Sequence, residues 1–337
     1  MRICLLTRFF NRRNAGIGQY SQKLLAEMLV RGHEVDPICT THQGKIGYLL
    51  YTGMEIRFRR PSDVDIYHAL TPLESIYLRK DKTVTTFHDL IPWLHRGEET
   101  WYFKGAFGRF RRWFGSWWFK RACKKAAKSE RIICNSEQTK REIMEHLGVL
   151  EKKIRITRMG VSKDLKPKPK KHDGYKIGTL SYLDPRKRVD ILIRAFKSGD
   201  LGDAELLIAG VGQDKQRLEV IADGDSRIRF LDFVPEKKKA DFYNSLDVFV
   251  FPTHLEGYGL PLVEAMACGI PVVSLQDALI PADVKTRTHI VREAFLSGLL
   301  GNRNFNCDIR ANLRFAKEHD WKKLADQTEA VYEEVAE

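Results

Sequence analysis

No stretch of this 337-residue chain approaches the ~18 uninterrupted apolar residues that a membrane-spanning helix requires. The opening Met1–Phe10 is apolar, yet it carries Arg2 and Arg8 and no small-residue cleavage site follows. It reads as a first core strand rather than a signal peptide. Cysteine is sparse: Cys4, Cys39, Cys123, Cys134, Cys268 and Cys307 are scattered, with no close pair at metal-ligand spacing. That points to reduced thiols in a cytoplasmic protein, and away from a zinc site or a disulfide framework. No aspartate cluster marks a Mg²⁺ site, so neither a metal nor another cofactor is expected. The chain also lacks an internal repeat and a low-complexity tract.

What is present is the composition of a globular protein, 43% hydrophobic and 30% charged, in a chain long enough for two domains. The net charge of +13 is unevenly spread. Residues 1–160 hold 30 Lys and Arg against 16 Asp and Glu, whereas residues 161–337 hold 27 against 28. A first half with all the excess suggests that one domain faces an anionic surface, membrane or nucleic acid.

Both halves alternate short apolar runs with helical periodicity. Ile3–Leu6, Val35–Cys39, Asp65–His68, Lys82–Phe87 and Arg131–Asn135 are strand candidates. Between the first two, Ile17, Tyr20, Leu24, Leu25, Met28 and Leu29 recur at helical spacing, and Gly32 sits where a C-cap is expected. A Lys-, Pro- and Asp-rich linker at Lys163–Gly174 interrupts both periods. Beyond it, strands at Tyr175–Thr179, Ala204–Ala209, Ile228–Leu231, Val248–Phe251 and Pro271–Ser274 alternate with helices. Phe315–Val335 reads as one final long helix. This pattern predicts two doubly wound α/β domains with parallel sheets, at 1–165 and 166–314, followed by a helix at 315–337 that crosses back to the first domain. Ligands of such folds bind at the carboxyl ends of the strands, here in a cleft between the two domains.

The most informative string is VFVFPTHLEGYGLPLVEAMACGIPVV, Val248–Val273. A strand ends near Pro252, a loop carries Glu256, Gly257, Tyr258, Gly259 and Leu260, and a helix begins at Pro261, where a missing N–H costs nothing. Glycines admit a ligand close to the backbone, and helix-start amides suit a phosphate. Glu264, placed on the first turn, would accept hydrogen bonds from ribose hydroxyls, and Glu256 from sugar hydroxyls. A solvated loop carboxylate and a favourable charge near a helix N-terminus would also explain the two glutamates taken alone. The whole string resembles the Glu-x7-Glu region of the family-4 glycosyltransferases. A second string, IGTLSYLDPRKRVDILIRAF at Ile177–Phe196, is similar to the family segment in which a strand is followed by a phosphate-binding lysine. Lys187 holds that place. Many members carry arginine where this chain has Thr179, so Arg186 or Arg188 is expected to supply the missing charge on a departing diphosphate.

In the first half, NAGIGQYSQKLLAEMLVRGHEV (Asn14–Val35) resembles the family's first loop and helix, which implies that Gly16 and Gly18 bring amides near the donor phosphates or the acceptor. His88, in Phe87-His88-Asp89, follows a strand directly, and the resemblance implies that it bonds the transferred sugar. A histidine satisfied by nearby backbone groups is the plainer alternative. Between Lys104 and Arg131 lie ten Lys or Arg and one acid, interleaved with aromatic residues. Arg109, Arg111, Arg112, Trp113, Trp117, Trp118, Lys120 and Arg121 are candidates for membrane or acceptor contact, since aromatics settle at the headgroup level and cations favour an anionic leaflet. A helix with buried aromatics and solvated cations is the alternative.

The resemblance implies a GT-B fold and a retaining, metal-independent hexosyltransferase. Its donor would be GDP-mannose or a UDP-sugar, and its acceptor lipid-linked or a glycan, at the inner face of the cell membrane. A nucleotide-sugar epimerase or glycan phosphorylase on the same fold is the first rival. A non-catalytic basic protein binding membrane or nucleic acid is the second, although no nucleic-acid motif is visible and nucleic acid is not an expected partner.

Overall fold

The computed structural model describes residues 1–10, 16–39, 55–78, 82–94, 105–169 and 173–337, with the backbone alone at 105–112. Arg109, Arg111 and Arg112 therefore lie outside the described side chains.

The first six strands are Arg2–Leu6 (β1), Glu34–Ile38 (β2), Ile66–Ala69 (β3), Thr83–Phe87 (β4), Arg131–Cys134 (β5) and Ile154–Ile156 (β6). They form one sheet in the order β2-β1-β3-β4-β5-β6, and every pairing is parallel. Residues of β3 and β4 are buried without exception, which accounts for their continuous rather than alternating burial: helices cover both faces of a parallel sheet. Local signals set the ends of the covering helices. Glu137–Leu147 starts at Ser136, whose side chain accepts the Thr139 N–H, and stops at Gly148 in the left-handed conformation.

Lys176–Leu180 (β7), Glu205–Ala209 (β8), Ile228–Asp232 (β9), Val248–Phe251 (β10), Val272–Leu275 (β11) and His289–Val291 (β12) form a second parallel sheet. Its order is β12-β11-β10-β7-β8-β9. The chain winds outward from β7 on one side through β8 and β9, and on the other through β10, β11 and β12. The boundary between β7 and β10 is thus the point where successive loops diverge, leaving a crevice at the carboxyl ends of these two strands.

Contacts divide the chain into Met1–Gly160 with His319–Glu337, and Val161–Glu318. Both are Rossmann-like α/β units. The periodicity that predicts a single helix over Phe315–Val335 is interrupted in the structure. One helix covers Ile309–Lys317 and a second covers Trp321–Ala336, and Asp320 caps the second by accepting the Lys322 N–H. A capping aspartate satisfies helix-start amides better than it continues a preceding turn. Trp321 then packs over Gly160, where an added Cβ would lie 2.5 Å from the indole and 2.6 Å from the Trp321 amide nitrogen, so only glycine fits. Farther along this last helix, Arg131 and Arg155 bond Glu334 at 2.8 and 2.7 Å, and Arg31 bonds Glu329 at 2.8 Å.

Candidate active site

In the second unit, β7 leads into a short turn, Pro185–Lys187, and β10 into the loop 252–259. Because β7 and β10 are neighbours, residues 69 apart in sequence meet: Lys187 Nζ lies 2.5 Å from Glu256 Oε1, with the side chains 10% and 11% exposed. Thr253 Oγ1 donates to the same carboxylate oxygen at 2.6 Å, and the Arg186 guanidinium stands 3.8 Å from Glu256 Oε2. Burial alone would raise the Glu256 pKa, but Lys187, Arg186 and the Thr253 hydroxyl outweigh it and hold the carboxyl below its usual range. Burial pulls the Lys187 ammonium below its ordinary value, with Arg186 adding to that effect and Glu256 opposing it. Lys187 also lies over the Phe251 ring, 5.3 Å from its centroid.

The two arginines flanking Lys187 do different things. Arg188, in the left-handed conformation at φ 49°, grips Asp277 with both terminal nitrogens at 2.6 and 2.9 Å. It also donates to the Pro252 and Thr253 carbonyls at 3.1 and 3.2 Å. Its guanidinium is a clamp that holds the start of the Glu256 loop. Arg186 donates to the Leu255 carbonyl and faces the Glu256 carboxylate. Thr179, where an arginine is expected from the family pattern, is wholly buried on β7 and its hydroxyl has no hydrogen-bond partner among the described residues. The Ser181 hydroxyl and one Asp184 carboxylate oxygen, a few residues on, are likewise buried without a partner among the described residues.

The helix Leu260–Ala267 begins at Gly259, whose φ of 93° favours glycine, and Pro261 occupies its first turn. Tyr258 is buried, and Gly257 and Leu260 are half-buried. Glu264 lies beyond the first turn, which corrects the position read from sequence: the helix starts one residue before Pro261, so Glu264 falls a full turn in. It is 1% exposed, and its two oxygens accept from Lys239 Nζ and Tyr243 Oη, both at 2.7 Å. Neither partner stands out in sequence, because a lysine and a tyrosine on the helix Glu236–Asn244 carry no motif. Asp277 is a further residue that sequence reasoning missed, because its partner Arg188 lies 89 positions away.

In the first unit, His88 follows β4 and is 8% exposed. Its Nε2–H donates to the Leu70 carbonyl at 3.1 Å, and its ring meets Tyr20 edge-on, 4.9 Å between centroids. Burial pushes its pKa down to about 4 against the opposing pull of that hydrogen bond, so the ring is neutral near pH 7. With Nε2 protonated, Nδ1 is an acceptor, and it has no partner among the described residues. One nitrogen is therefore satisfied by backbone, as the plainer alternative holds, and the other is not. Gly16 opens the helix Gly16–Val30, and Gly18 is buried on it.

The helix Gly105–Ala126 turns its small residues inward: Ser116, Ala122, Cys123 and Ala126 are buried. Trp113 and Trp117 remain 51% and 47% exposed, and Phe114 stacks on Trp118 with ring centroids 6.4 Å apart. Lys120 is half-buried over the Trp93 ring, and Arg121 is exposed. Among the described residues, no helix is long and apolar enough to cross a membrane.

Comparison with known proteins places these features. Two family models match in succession, Glycosyltransferase Family 4 over residues 47–165 and Glycosyl transferases group 1 over residues 161–306. The O-antigen chain mannosyltransferase B of Escherichia coli is 25% identical over 285 residues, 77% of this chain and 67% of that protein. The phosphatidyl-myo-inositol mannosyltransferase of Mycolicibacterium smegmatis is 32% identical over 174 residues, 46% of this chain and 44% of its own length. Among solved structures, Anabaena Alr3699/HepE in complex with UDP and glucose superposes with a TM-score of 0.73 at 14% identity, covering 99% of this chain and 100% of that one. That last likeness speaks to the fold, which is GT-B. The chain belongs to the group 1 glycosyl transferases, and it is a glycosyltransferase.

Proposed function

We propose that the chain is a retaining, metal-independent hexosyltransferase that takes its sugar from a nucleotide diphosphate and delivers it to a lipid-linked or glycan acceptor at an anionic membrane surface. The observation that carries this reading is the meeting of Lys187, Arg186 and Glu256 at the crevice between β7 and β10. A departing nucleoside diphosphate gains negative charge, and fixed cations beside it lower the barrier without proton transfer. Lys187 and Arg186 supply that charge, so the site has no need of a bound cation. Arg186, rather than the clamped Arg188, takes the part that arginine plays in relatives where this chain has Thr179. The amides of Gly259 and Leu260, at the positive end of the helix dipole, add to it. Glu256 and the Nδ1 of His88 hold sugar hydroxyls, and Glu264 the ribose, in exchange for one of the bonds it accepts here from Lys239 and Tyr243. All three act by positioning.

In the reaction, the acceptor oxygen bonds to the anomeric carbon on the face from which the diphosphate leaves. The bond from that carbon to the phosphate oxygen breaks, and the acceptor proton passes to the departing phosphate. The mannosyltransferases among the relatives favour a mannosyl donor such as GDP-mannose, and the structural neighbour holding UDP and glucose favours a UDP-sugar. The exposed Trp113 and Trp117 on the cationic helix favour contact with an anionic leaflet at the inner face of the cell membrane.

The test is the configuration of the sugar released when GDP-mannose or UDP-glucose, both α-linked, is turned over in water. Proton NMR is expected to detect the α-anomer first. Initial release of the β-anomer contradicts retention, and a free epimer or a sugar phosphate favours the rival enzyme classes.

A further inference from the structure

Beneath His88, inside the first unit, lies a buried chain of hydrogen bonds that the reaction does not use. Tyr332, on the last helix, has its hydroxyl 2.6 Å from His68 Nδ1. His68 Nε2 is 2.7 Å from Thr86 Oγ1, and Thr86 Oγ1 is 3.2 Å from the Tyr20 hydroxyl. The Tyr20 ring is the one that meets His88 edge-on at 84°. Tyr332 and His68 are fully buried, and Tyr20 and Thr86 are 1% and 2% exposed. The chain thus runs from the last helix through β3 and β4 to the first helix, and ends against the ring that follows β4.

We propose that Tyr332 is a positioning residue for His88, acting through His68, Thr86 and Tyr20. Its role is to fix the Tyr20 ring on which His88 rests. Fully buried polar groups depend on partners within the chain, so each member constrains the next. A neutral His68 contributes one proton and each hydroxyl one more, so four protons serve three hydrogen bonds. One hydroxyl proton is always left over. Removing the Tyr332 hydroxyl leaves His68 Nδ1 without a partner in either tautomer, so the His68 ring is held at one nitrogen only and its hold on Thr86, and through Thr86 on Tyr20, is loosened. Ordinary anchoring of the last helix does not need this chain, because Arg131 and Arg155 already tie Glu334 to the sheet.

The role assigned to His88 rests on the proposed function, but the wiring can be read without it. The experiment compares Tyr332→Phe with Glu334→Gln in protein carrying ¹³C-labelled histidine, with His88→Gln and His68→Gln to assign the ring signals. Tyr332→Phe is expected to move the His88 Cε1–H signal and to lower donor turnover about fivefold, equivalent to ~1 kcal/mol of barrier. Glu334→Gln is expected to lower thermal stability while leaving that signal in place. Thr86→Val, which cuts the chain at its middle, is expected to act as Tyr332→Phe does. A His88 signal unmoved by both, or moved equally by Glu334→Gln, overturns the proposal. Full turnover in His88→Gln would instead remove the sugar-binding role of His88 and leave the wiring to the spectra.

Discussion

Lys187 on the turn after β7 and Glu256 on the loop after β10 form a nearly buried ion pair, 2.5 Å apart, where the strand order of the second sheet reverses. Removing one partner of a buried pair costs about 3–5 kcal/mol because the other charge is left desolvated. Arg186, 3.8 Å from the same carboxylate, should offset part of that for Lys187→Ala. Lys187→Ala is therefore expected to fold, with a lowered Tm, and to lose donor turnover by about a hundredfold or more, or ~2.7 kcal/mol of barrier. Rates within threefold of wild type for Lys187→Ala and Glu256→Gln would remove both from the chemistry.

The neighbouring arginines should separate by phenotype. Arg188 is bound to Asp277 and to two loop carbonyls, so Arg188→Ala should lower Tm and loosen the 252–259 loop. Asp277→Asn should produce a smaller change in the same direction, since its side chain is 62% exposed. Arg186→Ala, which gives up one loop carbonyl and a longer contact to Glu256, should lower Tm less than Arg188→Ala and weaken nucleotide binding about tenfold, ~1.4 kcal/mol. Calorimetric titration beside thermal melts resolves the two. The reverse assignment would make Arg188 the diphosphate cation.

Much of the fold is legible in the sequence because the alternation of buried strands with helical spacing is a local property. What escapes is short or non-local. β6 and β12 have three residues each, too few to establish a period. The break before Asp320 is hidden because apolar positions continue on either side of it. The segments carrying Lys187 and Glu256 stand out as strings. Their meeting depends on β10 pairing with β7, and no local pattern encodes strand order. Asp277, Lys239 and Tyr243 escape for the same reason: each finds its partner 21 to 89 positions away.

Stability should fall as the solution is acidified, and two buried histidines set part of the window. Burial pushes His68 down to about 3 and His88 to about 4, so both are neutral in the folded protein, while in the unfolded chain they take up protons near the ordinary value of ~6.5. The unfolded state binds more protons between these limits, so stability is complete above ~6.5 and declines below it. Each histidine contributes about 1.4 kcal/mol per pH unit to the slope until its folded form also protonates. Urea denaturation at pH 7, 6 and 5 measures this. A flat profile would contradict the neutral, buried state of both rings.

Gly160→Ala is expected to weaken the seat of the last helix, since its Cβ would meet the indole and the amide nitrogen of Trp321. A backbone atom cannot give way as a flexible side chain can, and overpacking of this kind costs about 1–3 kcal/mol. Thermal melts of Gly160→Ala and of Gly115→Ala, where nothing lies within 4 Å of an added Cβ, give the comparison. Equal Tm values would mean that this seat adapts.

Membrane contact through the helix Gly105–Ala126 predicts that Trp113→Ala and Trp117→Ala together reduce co-sedimentation with anionic vesicles. Raising the salt to ~0.5 M should also weaken it, because screening shortens the reach of exposed cations. Binding to DNA in place of vesicles at ~150 mM salt would favour a nucleic-acid partner.

The most direct test of the central claim, a nucleotide-diphosphate site built on Lys187 and Glu256, is thermal denaturation against UDP, GDP, ADP and CMP. A nucleotide at 100 times its Kd adds about 2.7 kcal/mol of stability. UDP or GDP is expected to raise the Tm of the wild type, and Lys187→Ala to abolish the shift. A shift that survives in Lys187→Ala, or no shift with any nucleotide, would contradict that claim.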